Sequence, residues 1–190
     1  MKNMQKILAA VFVLFTITHT TLIGQSCSSK SVKVGGATME AQKDIVSNVV
    51  QSEQHTTLVA ALKAADLVST LQGQGPFTVF APVNDAFENL PEGTVESLLQ
   101  PQNKSTLQKV LTYHVVAGKY DAGSIVKAIE KGNGKAVLTT VSGDQLTAMM
   151  NGDRNVILKD EKGNYANVSI YDVKQSNGVV HVIDSVVLPN

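Results

Sequence analysis

GPFTVFAPVNDAF, residues 75–87, is the stretch whose reading decides the fold. Gly75-Pro76 breaks the helix expected before it. Phe77-Thr78-Val79-Phe80 is a short apolar run of strand formers, and Ala81-Pro82 ends it. A new helix should start at once, with Asn84 or Asp85 accepting from its free N–H groups and Ala86 and Phe87 in its first turn. A strand that is apolar on both faces has to be covered on both sides, which places this one inside a core.

Working outward, a second apolar segment closes the chain: NGVVHVIDSVVLP, residues 177–189. Asn177-Gly178 is a two-residue hairpin signal, and the run after it is rich in β-branched residues. His181 alternates with Val180 and Val182 and therefore faces away from them, within the packing of this segment. Asp184 is placed to cap or brace the 75–87 segment. Between the two lies YHVV, residues 113–116. His114 follows Leu107, Val110 and Leu111 on one helical stripe, so its ring is expected to be buried, neutral and hydrogen-bonded.

TVFAPVNDAF, YHVV and NGVVHVIDSVVLP, in that order and spacing, closely resemble the two sequence boxes and the Tyr-His motif of the fasciclin domain. The resemblance runs from about Lys43 to Pro189. It implies an α+β fold, an antiparallel β-sandwich or wedge with several helices packed beside it. It also implies a non-enzymatic role in cell adhesion, or in surface or matrix interaction with a protein or polysaccharide. Tyr113 and His114 occupy the position that some animal members tie to integrin adhesion; the apolar frame around them favours a structural role. Thr78, Phe80, Pro82, Asn84, Asp85 and Phe87 of the first box, with Asn177, Gly178, His181 and Asp184 of the second, are read as fold determinants. The family usually has Thr or Ser where this chain has Val83, so the helix cap is expected at Asn84.

The N-terminus reads as an export signal over residues 1–26: Lys2 and Lys6, the apolar core Ile7–Ile17, then polar Thr18–Thr21. That core is too short to span a bilayer comfortably. Cys27 is the only cysteine, and it falls just after the signal. Its surroundings resemble a lipoprotein signal, which makes Cys27 a lipid acceptor and the only route to a membrane; an incidental thiol after ordinary cleavage is the alternative. Residues 27–42 contain Gly35-Gly36 and show no sustained period, so a flexible tether is expected there, with the domain over 43–190.

From Lys43 the pattern is helical. Ile45, Val46, Val49 and Val50 share one face, and Leu58, Ala61, Leu62, Ala65 and Val68 a longer one, with Thr56 or Thr57 as its cap. Pro91–Leu99, Ser105–Tyr113 and a helix from Asp121 or Ser124 carrying Ile125, Ala128 and Ile129 follow. From Ala136 the period becomes two. Strands are expected at 137–141, 145–150, 156–159, 166–170 and 179–188, joined by Gly- and Asn-rich turns as an antiparallel meander. Helices first and strands later is an α+β order.

Composition excludes several classes. The chain has 190 residues, 43% of them hydrophobic, which suits one domain with a real core. Without residues 1–26 it carries 14 basic and 16 acidic residues, and Arg154 is its only arginine. Such a balance does not suit nucleic-acid phosphates. No HExxH, Cys/His cluster, calcium loop, GxSxG, P-loop or GxGxxG occurs, so no metal, cofactor or catalytic centre is expected. Ser124, His114 and Asp184 can be drawn as a triad only on paper. Adhesive contacts are sought in the polar loops at 151–154, 160–164 and 130–135. The alternative class is a periplasmic small-ligand carrier or an undetected hydrolase, which needs a concave pocket with convergent polar groups.

Overall fold

The structure, a computed structural model, describes residues 31–152 and 155–190. The export signal and Cys27 lie outside the described residues, as do Asp153 and Arg154 of the 151–154 loop.

The two boxes become neighbouring strands. β3 (Phe77–Pro82) pairs in parallel with β9 (Gly178–Ile183), from Phe77 opposite Gly178 to Pro82 opposite Ile183. On the other side of β3 lies the short antiparallel strand β4 (Val115–Ala117). Beyond β9 the chain runs as the expected antiparallel meander, with β8 (Tyr165–Gln175), β7 (Asn155–Lys159), β6 (Gln145–Asn151) and β5 (Lys135–Thr139) in turn. The seven-stranded order is β4-β3-β9-β8-β7-β6-β5. Its two ends curl toward each other: Val116 bridges Thr140, and the Val141 N–H donates to the Val115 carbonyl at 2.7 Å. The result is a nearly closed wedge. Its parallel pair joins residues 101 positions apart and, among the described residues, is the one departure from an antiparallel arrangement.

This pair separates two cores, which explains its apolar character on both faces. Val79 and Ala81 of β3, with Val180 and Val182 of β9, face a helical core. That core is built from α1 (Ile45–Val49), α2 (Thr56–Ala64), α3 (Val68–Leu71) and the inner stripe of α6 (Lys104–Tyr113). Phe80 and Ile183 point the other way, into the wedge. There they meet Leu138, Leu146, Leu158 and Val168 of the meander, and Ile125 and Ile129 of α7 (Ala122–Lys131). Asp121 caps α7 through the Ser124 N–H at 2.8 Å.

Several expectations are corrected. The tether is not a tether in its described part. β1 (Val32–Val34) and β2 (Ala37–Met39) form a hairpin, and Val34 and Met39 are buried in the helical core. Three-residue strands are too short to show a period, and they are held by the body they pack on. The last hairpin turns at Ser176-Asn177 rather than Asn177-Gly178, because Gln175 pairs with Gly178. Gly178 opens β9 for a different reason: a side chain there would collide with the Phe77 backbone. β8 is longer than expected, continuing through register shifts after Val168 and Ile170, where Asp172 takes φ +57°.

The helix α4 (Asn84–Glu88) is not capped by Asn84 or Asp85. Val83 holds the cap position without a side-chain bond, and Asp85 is exposed. Asn84 instead reaches back to the start of α2. Its Oδ1 accepts from the Thr57 N–H at 3.1 Å and the Thr56 hydroxyl at 3.2 Å, and its Nδ2 donates to the Glu53 carbonyl at 2.8 Å. Thr56 and Thr57 are therefore helix residues rather than caps, and the free N–H of Thr57 is satisfied from another element. Asp184 does not brace the first box. Its carboxylate accepts from the Asn167 N–H and side-chain amide, both at 2.8 Å, tying β9 to β8.

Candidate functional site

Of the residues singled out by the motifs, Thr78, Phe80 and His181 are brought together around the Tyr120 backbone, while the others brace separate places in the fold. Thr78, fully buried, donates its hydroxyl to the Gly118 carbonyl at 2.8 Å and accepts from the Tyr120 N–H at 2.9 Å. Phe80 stacks on His181 with ring centroids 5.6 Å apart. The Asp172 N–H donates to His181 Nδ1 at 3.3 Å, so Nε2 carries the proton and donates to the Tyr120 carbonyl at 2.8 Å. Asn177 joins three elements: its Oδ1 accepts from the Ile45 N–H at 3.1 Å, and its Nδ2 donates to the Leu71 and Gly73 carbonyls at 2.7 and 3.2 Å. Pro82 is buried at the end of β3, and Phe87 packs half-buried between the helical core and a small cluster of Ala86, Val110 and Val186.

Tyr113 and His114 are interior too, at 0% and 3% exposure. The Tyr113 hydroxyl donates to the Gln145 carbonyl at 2.7 Å, and burial pushes its pKa up to about 12. The Val187 N–H donates to His114 Nε2 at 3.2 Å, which leaves the proton on Nδ1, donated to the Val110 carbonyl at 2.8 Å. Burial lowers the His114 pKa to about 4. His55 is also buried and lowered to about 4, first by desolvation, with Ser52 Oγ 2.8 Å from its Nδ1. The Ala81 backbone favours its charged form, though no acceptor completes a hydrogen bond at Nε2.

The paper triad does not assemble. Both His114 nitrogens are occupied by backbone groups, Asp184 is held by Asn167, and Ser124 sits exposed in the first turn of α7. Among the described residues, no three His, Cys, Asp or Glu side chains converge to hold a metal ion. Among the described residues, the core holds small apolar voids of about 20 and 30 Å³. The larger concavities are open surface clefts of 540 and 530 Å³. The first, beside the strand ends, is lined by groups such as Asp44, Gln74, Lys119 and Ser176 and contains no histidine.

What reasoning from motifs missed is the outer face of the meander. Strand alternation turns Ala136, Leu138, Leu146, Ala148, Val156, Leu158, Ala166 and Val168 inward, so their neighbours face out. Register aligns those neighbours in two rows across four strands. One row is Val137, Thr147, Lys159 and Tyr165; the other is Lys135, Met149, Ile157 and Asn167. Val137 and Tyr165 are 58% and 52% exposed, and the Lys159 ammonium lies 5.5 Å from the Tyr165 ring centroid. The face is apolar and cationic, with no carboxylate among the eight. Alternation was visible in the sequence, but the rows needed register. Of the candidate loops, 160–164 is pinned, since buried Asp160 accepts from the Asn164 and Leu188 N–H groups.

With this geometry in view, the comparisons with known proteins agree. The fasciclin domain profile matches residues 53–189, and the chain belongs to the fasciclin domain family. Synechocystis protein sll1483 is 46% identical over 162 residues, covering 85% of this chain and 82% of that one. The immunogenic protein MPB70 of Mycobacterium bovis is 33% identical, covering 88% and 82%. The M. bovis cell surface glycolipoprotein MPB83 is 30% identical, covering 88% and 72%. In structure, the chain is similar to the FAS1 domain pair of the insect cell adhesion molecule Fasciclin I. That similarity has a TM-score of 0.66 and 19% identity, over 77% of this chain and 51% of that one, and it shows the α+β fold.

Proposed function

We propose that this protein is a non-enzymatic fasciclin module that works outside the cytoplasm, mediating adhesion or surface and matrix interaction with a protein or polysaccharide. The contact surface in this reading is the outer face of the meander. The observation that carries it is the row Val137–Thr147–Lys159–Tyr165, exposed at both ends and half-buried between, beside motif residues whose polar atoms are already bonded inside. Relatives named as a cell surface glycolipoprotein and an adhesion molecule support the location and the role. Each contact is weak alone, and many copies held on one surface multiply it.

Lipidation of Cys27 would supply that display. Replacing Cys27 with Ser should then move the protein from the detergent phase to the aqueous phase and end fatty-acid labelling; an unlabelled wild type rejects the anchor. The partner is found by retention of envelope polysaccharides and surface proteins on immobilised protein. Retention that survives Val137→Glu combined with Tyr165→Glu, in a protein that melts normally, rejects the sheet face as the contact.

A further inference from the structure

A second surface lies away from the sheet, where α4 gives way to the short helix α5 (Thr94–Leu98). It is an open groove of about 530 Å³ whose apolar floor is Phe87, Leu90, Pro91 and Val95. Phe87 and Leu90 rest on Ala86, Val110 and Val186, so the floor is firmly backed. The rim carries Glu88, Glu92 and Glu96, all exposed, and no lysine or arginine lines the groove. Among the described residues none of the three carboxylates forms an ion pair, whereas Glu40, Asp66 and Asp144 each have a lysine partner.

We infer that this groove docks a cationic amphipathic segment of a partner protein. The apolar floor gains by covering with aliphatic side chains, which a purely polar ligand does not supply. The acidic rim repels nucleic acid, anionic lipid and acidic polysaccharide, and it favours lysine or arginine flanking those aliphatic anchors. A helix or extended peptide with apolar residues on one side and basic residues beside them satisfies both requirements. The charge is opposite to that of the meander face, so the two surfaces select different partners.

The probe is a fluorescent synthetic peptide with leucines on one helical face and lysines beside them, titrated into the purified protein by anisotropy. Binding should weaken with salt, and the same peptide with glutamates in place of lysines should not bind. Glu92→Lys combined with Glu96→Lys, on the exposed rim, should weaken binding at least about tenfold with melting unchanged. Leu90→Asp tests the floor, and the rim variant keeps the test valid if that substitution unfolds the protein. Backbone NMR signals of Leu90, Val95 and Glu96 should move on titration. Tyr165→Glu should leave peptide binding intact, which separates this site from the sheet face. Equal binding of the glutamate peptide, an unaffected rim variant, or displacement by spermidine as effective as by unlabelled peptide overturns the proposal.

Discussion

The backbone N–H of Val187 donates to Nε2 of His114 at 3.2 Å, so the C-terminal segment is latched onto the histidine of the Tyr-His motif. Both ring nitrogens are thereby used, the other by the Val110 carbonyl. Replacing His114 with Ala leaves both backbone groups without their partner in the buried interior. The expected loss is roughly 1–3 kcal/mol of stability, measured by denaturant unfolding. An unchanged midpoint would mean that the latch contributes nothing.

Acid should unfold the protein through its buried histidines. His55 and His114 ionise at about 4 when folded, against an ordinary value of 6.5, and burial also lowers His181. Above about pH 6.5 the rings are neutral in both states and stability is complete. As pH falls from 6.5 toward 4, the unfolded chain takes up protons that the folded chain refuses, so stability declines. Below about 4 the loss is full, on the order of 3 kcal/mol for each of His55 and His114. Unfolding curves between pH 7 and 4 check this, with about 2 kcal/mol of loss for each of His55 and His114 expected already by pH 5. A flat profile there contradicts it.

Asn177 should be intolerant of its nearest substitute. Asp at this position keeps the acceptor for the Ile45 N–H but sets a carboxylate oxygen against the Leu71 and Gly73 carbonyls. Asn177→Asp should therefore cost at least as much as Asn177→Ala, about 1–3 kcal/mol, and more at neutral pH than in acid. Equal melting of the Asp variant and wild type would show that these amide bonds are dispensable.

The wall between the two cores is tested by truncation on each side. Phe80→Ala empties space in the wedge beside His181, at about 3–5 kcal/mol, and Val182→Ala opens the helical core at about 2 kcal/mol. The two side chains sit on paired strands but face opposite cores, so their costs should add more nearly than those of two truncations within one core. Strong non-additivity in the double variant would mean that the cores are not separate.

Much of this was legible in the sequence, and the gaps have physical reasons. The run at 77–80, apolar on both faces, announced an interior strand, the β-branched run from 179 announced a second, and the meander announced itself by alternation and turns. Their parallel pairing was hidden because it depends on contact between distant segments. The hairpin at 32–39 was hidden because Val32, Val34 and Met39 become meaningful only against the helical core. Asn84 looked like a local cap and serves a helix 27 residues earlier, a bond that no local pattern encodes. The contact face was hidden for a related reason: Val137 and Tyr165 are remote in sequence and become one row only through the register of four strands.

The central claim is that the motif residues hold the fold while the outer sheet face makes the contacts. Retention on the partner surface, measured well below melting for two folded variants, tests it most directly. His114→Ala should melt lower yet bind as wild type, and Tyr165→Glu should melt as wild type yet lose binding. Unchanged melting with lost binding for His114→Ala, together with normal binding by Tyr165→Glu, would contradict the account.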